Sequence, residues 1–67
     1  GGTEFDPVLD YFNEKIEFYD GLVYFTDGYA NQPKIIPKKH CLFVINNADH
    51  KLIQKKNIYL TQFYNEY

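Results

Sequence analysis

Sixty-seven residues with a net charge of −2 make one domain at most, and a chain this short buries only about 60% of its unfolded surface. A single cysteine excludes a disulfide framework and a paired-thiol metal knuckle, and so few basic side chains leave no electrostatic footprint for nucleic acid. No apolar run approaches the roughly 18 residues of a membrane span, so neither membrane nor nucleic acid is expected as a partner.

Seven tyrosines and six phenylalanines supply enough ring surface to build a core or to leave a patch that needs a partner. The chain opens on Gly1-Gly2 without methionine, which reads as a processed product or a piece of something longer.

The first element is a helix over about 7–18. Asp6-Pro7 offers an N-cap acceptor followed by a proline at the first helical position. Val8, Leu9, Phe12, Ile16 and Tyr19 then recur at three- and four-residue spacing, with Asp10, Asn13, Glu14 and Glu17 between them. Asp20-Gly21 ends this run, with Gly21 free to take a left-handed cap.

Leu22–Thr26 reads as a strand that is apolar on both faces, the pattern of burial between layers in a parallel sheet. Residues 27–39 form a loop carrying Pro33 and Pro37, and 40–46 contain a second buried strand around Cys41-Leu42-Phe43-Val44-Ile45. Residues 48–56 are ambiguous, with one helical turn expected around Leu52 and Ile53. Residues 57–61 hold a third short strand, Ile58-Tyr59-Leu60, and Phe63, Tyr64 and Tyr67 make an aromatic tail. Connections of about a dozen residues suit parallel pairing rather than hairpins. The fold class expected is α/β, with about three parallel strands and one main helix. One helix cannot cover both faces of such a sheet, so the sheet is incomplete or associates with another copy.

Few constellations carry chemistry. His40 and Cys41 are neighbours on a strand, so their side chains point to opposite faces and do not form a nucleophile pair. His50 has no zinc-motif companion. Glu14 and Glu17 fall on the polar helix face, where a solvated role outweighs acid/base work. No catalytic residue is assigned.

Thr3 and Asp27 differ from these. Each sits where a turn meets a regular element, and each offers the hard oxygen that magnesium or manganese favours. From spacing alone, a capping hydroxyl for Thr3 and a turn-forming role for Asp27 are the simpler readings.

Gly1-Gly2-Thr3-Glu4-Phe5-Asp6-Pro7-Val8, followed by Asp20-Gly21-Leu22-Val23-Tyr24-Phe25-Thr26-Asp27-Gly28-Tyr29, resembles the latter half of a von Willebrand factor A-like (VWA-like) domain. More narrowly, it is similar to the C-terminal VWA-like domain of a bacterial family of predicted metal-dependent peptidases of unknown function. There a GGTxFxP turn leads a helix, an apolar strand ends in TDGY, and a proline-bearing loop precedes a strand like Leu42-Phe43-Val44-Ile45-Asn46. The similarity covers about 1–46, with Ile58-Tyr59-Leu60 as the final strand.

The resemblance implies a partial Rossmann-like, three-layer VWA-like fold, with residues 1–67 a single fragment that lacks the first strand and its DxSxS turn. It implies that Thr3 and Asp27 match two of the three ligand turns of a metal-ion-dependent adhesion site. Magnesium or manganese would then belong to a longer parent and bind weakly or not at all to this chain. The function implied is a non-enzymatic protein-interaction module. The alternative is part of a predicted metallopeptidase whose catalytic motif lies outside these residues. A protein partner and self-association of the isolated fragment are expected, the latter through the open edge of Leu22–Thr26 or an aromatic face. With no disulfide and no targeting segment, the cytoplasm is the default setting.

Overall fold

A computed structural model describes residues 4–63. Helix α1 (Asp6–Glu14) is followed by a 3-10 turn (Ile16–Phe18) and three strands, β1 (Leu22–Thr26), β2 (Cys41–Ile45) and β3 (Ile58–Gln62). The strands form one parallel sheet in the order β1-β2-β3, with Leu22 in register with Cys41 and Cys41 with Ile58. A small α/β fold with one main helix and three parallel strands is therefore what the sequence builds.

The helix is shorter than its apolar periodicity suggests. Lys15 leaves helical geometry (φ −103°, ψ 23°), and the chain tightens into the 3-10 turn. Lys39 Nζ donates to the Ile16 and Tyr19 carbonyls at 3.2 and 2.6 Å, satisfying acceptors that a continuing helix would have used. The start also differs from expectation, because Phe5 occupies the capping position and makes no side-chain cap. Asp6 instead turns outward: its Oδ1 accepts from the Lys34 and Ile35 N–H groups at 2.9 and 3.0 Å. Asn13 does the same about two turns further along that face, donating to the Ile36 carbonyl and accepting from the Lys38 N–H. Two helix side chains thus bind the long 27–40 loop along α1.

The core lies on one side of the sheet. Phe5 at the cap of α1 and Leu9 within it pack with Cys41, Phe43, Ile45, Ile58 and Leu52. The Phe5 ring sits 4.8 Å from Phe43 and 5.2 Å, edge-on, from Tyr24, while Tyr24 and Phe43 are 5.6 Å apart. Both crossovers run over this same side. The first places Ala30 and Ile35 against the core, and the second contributes Leu52.

Three sequence expectations are corrected here. β1 is not buried between layers: exposure alternates along it, with Val23 56% and Phe25 76% exposed, because α1 and both crossovers cover only the opposite face. Residues 48–56 contain no helical turn. They run irregularly past a turn at Ala48-Asp49, with Leu52 buried, Ile53 exposed, and the Ile53 backbone bonded at both ends to the Gln32 side chain. Gly21 takes no left-handed cap; its value is space, since a Cβ there would stand 3.1 Å from the His40 carbonyl oxygen. The tail tyrosines Tyr64 and Tyr67 lie outside the described residues, and Phe63 is exposed.

Cys41 is buried as a small apolar side chain, and burial pushes its thiol up from 9.0 to about 11. The neutral thiol is the form the fold accommodates. Its contribution is intact below pH 9, the unfolded value, and is lost as pH rises through about 11. A thiol-specific reagent at pH 8 should therefore label Cys41 only at the rate of unfolding, and at once in denaturant. Rapid labelling of the folded chain would contradict this burial.

Candidate functional site

The carboxyl ends of β1 and β2 lie side by side, Thr26 in register with Ile45, and each strand passes into a turn built by its own side chains. After β1, Thr26 Oγ1 accepts from the Gly28 N–H at 3.1 Å and Asp27 Oδ1 from the Tyr29 N–H at 3.0 Å. After β2, Asn47 Oδ1 accepts from the Asp49 N–H at 3.0 Å. Such side-chain turns hold the two loops without help from a helix. The Nδ2 of Asn47 is buried and has no partner among the described residues.

Gly28 fixes how the two turns meet. It is buried at φ +75°, and a Cβ built there would lie 2.7 Å from His50 Cβ and 3.1 Å from Ile45 Cγ2. The His50 ring packs over the gap, and its Nδ1 accepts from the Leu52 N–H at 3.1 Å, which assigns the ring proton to Nε2.

Two hollows flank this edge. On the helix side, an open cleft of about 690 Å³ runs between the N-terminus of α1 and the two turns. Its charges are mixed: Glu4, Asp6 and Asp49 against Lys34 and Lys51, with His50 between. Asp6 is committed to the loop backbone, and the lining residues include no Ser, Thr or Cys. On the other side, a shallower hollow of about 360 Å³ is formed by Phe25, Thr26, Asp27, Val44, Asn46 and Phe63. Asp27 therefore belongs to the open face of the sheet and not to the larger cleft.

That open face is the second surface of interest. Phe25, Val23, Tyr59 and the half-covered Leu42 and Val44 present an uncharged field, with Phe63 at its rim. His40 stands at its lower margin, edge-on to Tyr59 at 5.2 Å, on the side opposite Cys41.

Of the two residues expected to bind metal, Thr3 lies outside the described residues, and Asp27 is exposed with Oδ1 already occupied by a backbone donor. Among the described residues, no group of three or more His, Cys, Asp or Glu side chains is placed to hold a metal ion. One carboxylate oxygen left over on Asp27 fits a cation only as one ligand of several. Phe25, Val44 and Phe63 were not legible as site residues. The signal that could have found them was that three strands and one helix leave a face uncovered.

No family model, no curated protein and no solved structure matches the chain. Among the described residues, no helix is long and apolar enough to cross a membrane.

Proposed function

We propose that this chain is a non-enzymatic protein-interaction module, the latter part of a VWA-like sheet whose uncovered face and acidic carboxyl edge meet another protein. The observation that carries this is the company Asp27 keeps. A solvent-facing carboxylate stands at the lip of a hollow floored by Phe25, Val44 and Phe63. Apolar surface rimmed by a polar group is the composition of a docking site. Parallel sheets are ordinarily covered on both faces, and the layers that cover them are helical, so the partner surface this face suits is an apolar helix face. The helix-side cleft, with its spent Asp6 and mixed charges, supports the reading less.

Within this proposal, Thr3 and Asp27 offer two hard oxygens to magnesium or manganese. A partner or a longer parent would have to complete the shell, and affinity in this chain alone would be weak, on the order of 10⁻³ M. One reduced-type buried thiol suits the cytoplasm as its setting.

Titration of the isotopically labelled chain with Mn²⁺ tests the edge. Line broadening confined to residues 1–3 and 27–29, and absent in Asp27→Ala, is the expected result. Broadening centred instead on Glu4, Asp6 and Asp49 would move the acidic site into the cleft and remove the adhesion-type reading. Chelator-sensitive cleavage of a peptide library by the chain would remove the non-enzymatic one.

A further inference from the structure

The two edges of the sheet are treated differently, and the difference identifies a specific docking edge. At the β3 edge, the Ile58 N–H donates to the Lys55 carbonyl at 2.9 Å and the Leu60 N–H to Gln54 Oε1 at 3.1 Å. The Lys55–Ile58 bridge folds the preceding loop back over that edge, which is a common way of keeping a strand from recruiting another chain.

Among the described residues, β1 has no such cover. The Leu22 N–H donates to the His40 carbonyl at 3.0 Å, and the Thr26 carbonyl accepts from the Asn46 N–H at 3.3 Å. Alternate residues of a strand direct their backbone groups to opposite sides, so Leu22, Tyr24 and Thr26 serve the ladder with β2. The N–H and C=O groups of Val23 and Phe25 therefore point outward from the edge. The same two residues carry the exposed side chains of the open face. Along Leu22-Val23-Tyr24-Phe25-Thr26 there is no charge, no proline and no bulge to discourage pairing.

We infer that β1 pairs with β1 of a second copy, antiparallel, about a twofold axis perpendicular to the sheet and midway between the two Tyr24 residues. In that register Val23 faces Phe25 of the other copy. Both are outward-directed residues, so they form hydrogen-bonded pairs, about four bonds across the seam. Each pair sets a β-branched side chain against an aromatic ring on the same face, a favourable cross-strand combination. The flanks fit as well: Asp27 comes opposite Gly21 and Asp20 opposite Gly28, so no carboxylates are opposed. A register centred on Tyr24 is thus self-complementary in hydrogen bonding, shape and charge. The product is a continuous six-stranded sheet with both helices on one side and one doubled apolar field on the other. This deepens the interaction reading and rests on it, by naming a second copy as the partner of the edge. The Mn²⁺ response of Asp27 does not depend on it, so either can fail alone.

Sedimentation equilibrium over roughly 10 μM to 1 mM, where a small interface dissociates, should show the mass rising from 8.0 kDa toward twice that value. Amide exchange at Val23 and Phe25 should slow with concentration. N-methylation of Phe25 by chemical synthesis should restore the monomer, because that N–H takes no part in the β1–β2 ladder. A monomer at every concentration overturns the proposal. So does a dimer that survives N-methylation with Val23 and Phe25 still exchanging fast, and that is lost instead in a Tyr59→Ser, Phe63→Ser variant; the face would then be the interface. The exchange readout uses the unmodified chain, so a synthetic variant that misfolds does not remove the test.

Discussion

Phe43→Ala is expected to leave the chain largely unfolded, while Phe25→Ala, one position beyond Phe43's register partner Tyr24 on β1, leaves it nearly as stable as before. Phe43 is fully buried at the centre of the middle strand, against Phe5 and Tyr24. Removing a buried ring of this kind costs about 3–5 kcal/mol. A domain of this size holds roughly 3–10 kcal/mol in total, so the loss takes most of what there is. Phe25 is three-quarters exposed and belongs to neither the core nor the side chains packed against it, so its truncation should change stability by about 0.5 kcal/mol or less. Urea unfolding followed by far-ultraviolet circular dichroism, at concentrations low enough for a monomer, measures both. Similar losses for the two variants would mean that both sheet faces are buried, and the interaction reading of the open face would fall with that result.

The contrast between these two phenylalanines also marks where the sequence stops being legible. Strand β1 carries Val23 and Phe25 as apolar as Leu22 and Tyr24, and an unbroken apolar run signals burial on both sides. It cannot signal that the second layer is absent from the chain that carries the strand. The bounds of β2, by contrast, were readable because Pro37 and Asn46-Asn47 punctuate it, and Asn57 marked the start of β3, whose end at Gln62 lies two residues beyond the Ile58-Tyr59-Leu60 run. Parallel pairing followed from connection length alone.

The failures elsewhere were of long-range partners. Asp6 looks like a helix cap from its neighbours, and only the return of Lys34 and Ile35, nearly thirty residues later, shows what its carboxylate serves. Lys39 closing the helix end at Ile16 and Tyr19 is of the same kind. At the candidate site, the turn-forming role of Asp27 was legible from Thr26-Asp27-Gly28. Its placement beside Phe63 was not, since that depends on the β2–β3 register.

Gly28→Ala should cost about 2–4 kcal/mol, through two causes that can be separated. The backbone at φ +75° is left-handed, which an L side chain adopts at roughly 1–2 kcal/mol. The remainder is collision, because the new Cβ would meet His50 Cβ at 2.7 Å and Ile45 Cγ2 at 3.1 Å. His50→Ala does not relieve the closer contact, since alanine keeps the Cβ; His50→Gly does. In a double-mutant cycle, Gly28→Ala should therefore be markedly less costly on a His50→Gly background than on a His50→Ala background, while the backbone share persists in both. Any relaxation of the collision must move the 27–29 turn, because Gly28 N–H is held by Thr26 Oγ1 and Tyr29 N–H by Asp27 Oδ1. The Asp27 carboxylate would then shift away from the Phe25–Phe63 hollow. Broadening of residues 27–29 by Mn²⁺ should weaken in folded Gly28→Ala and recover on the His50→Gly background. Equal costs on the two backgrounds would show that His50 does not press on Gly28, and that the two strand-end turns are set independently.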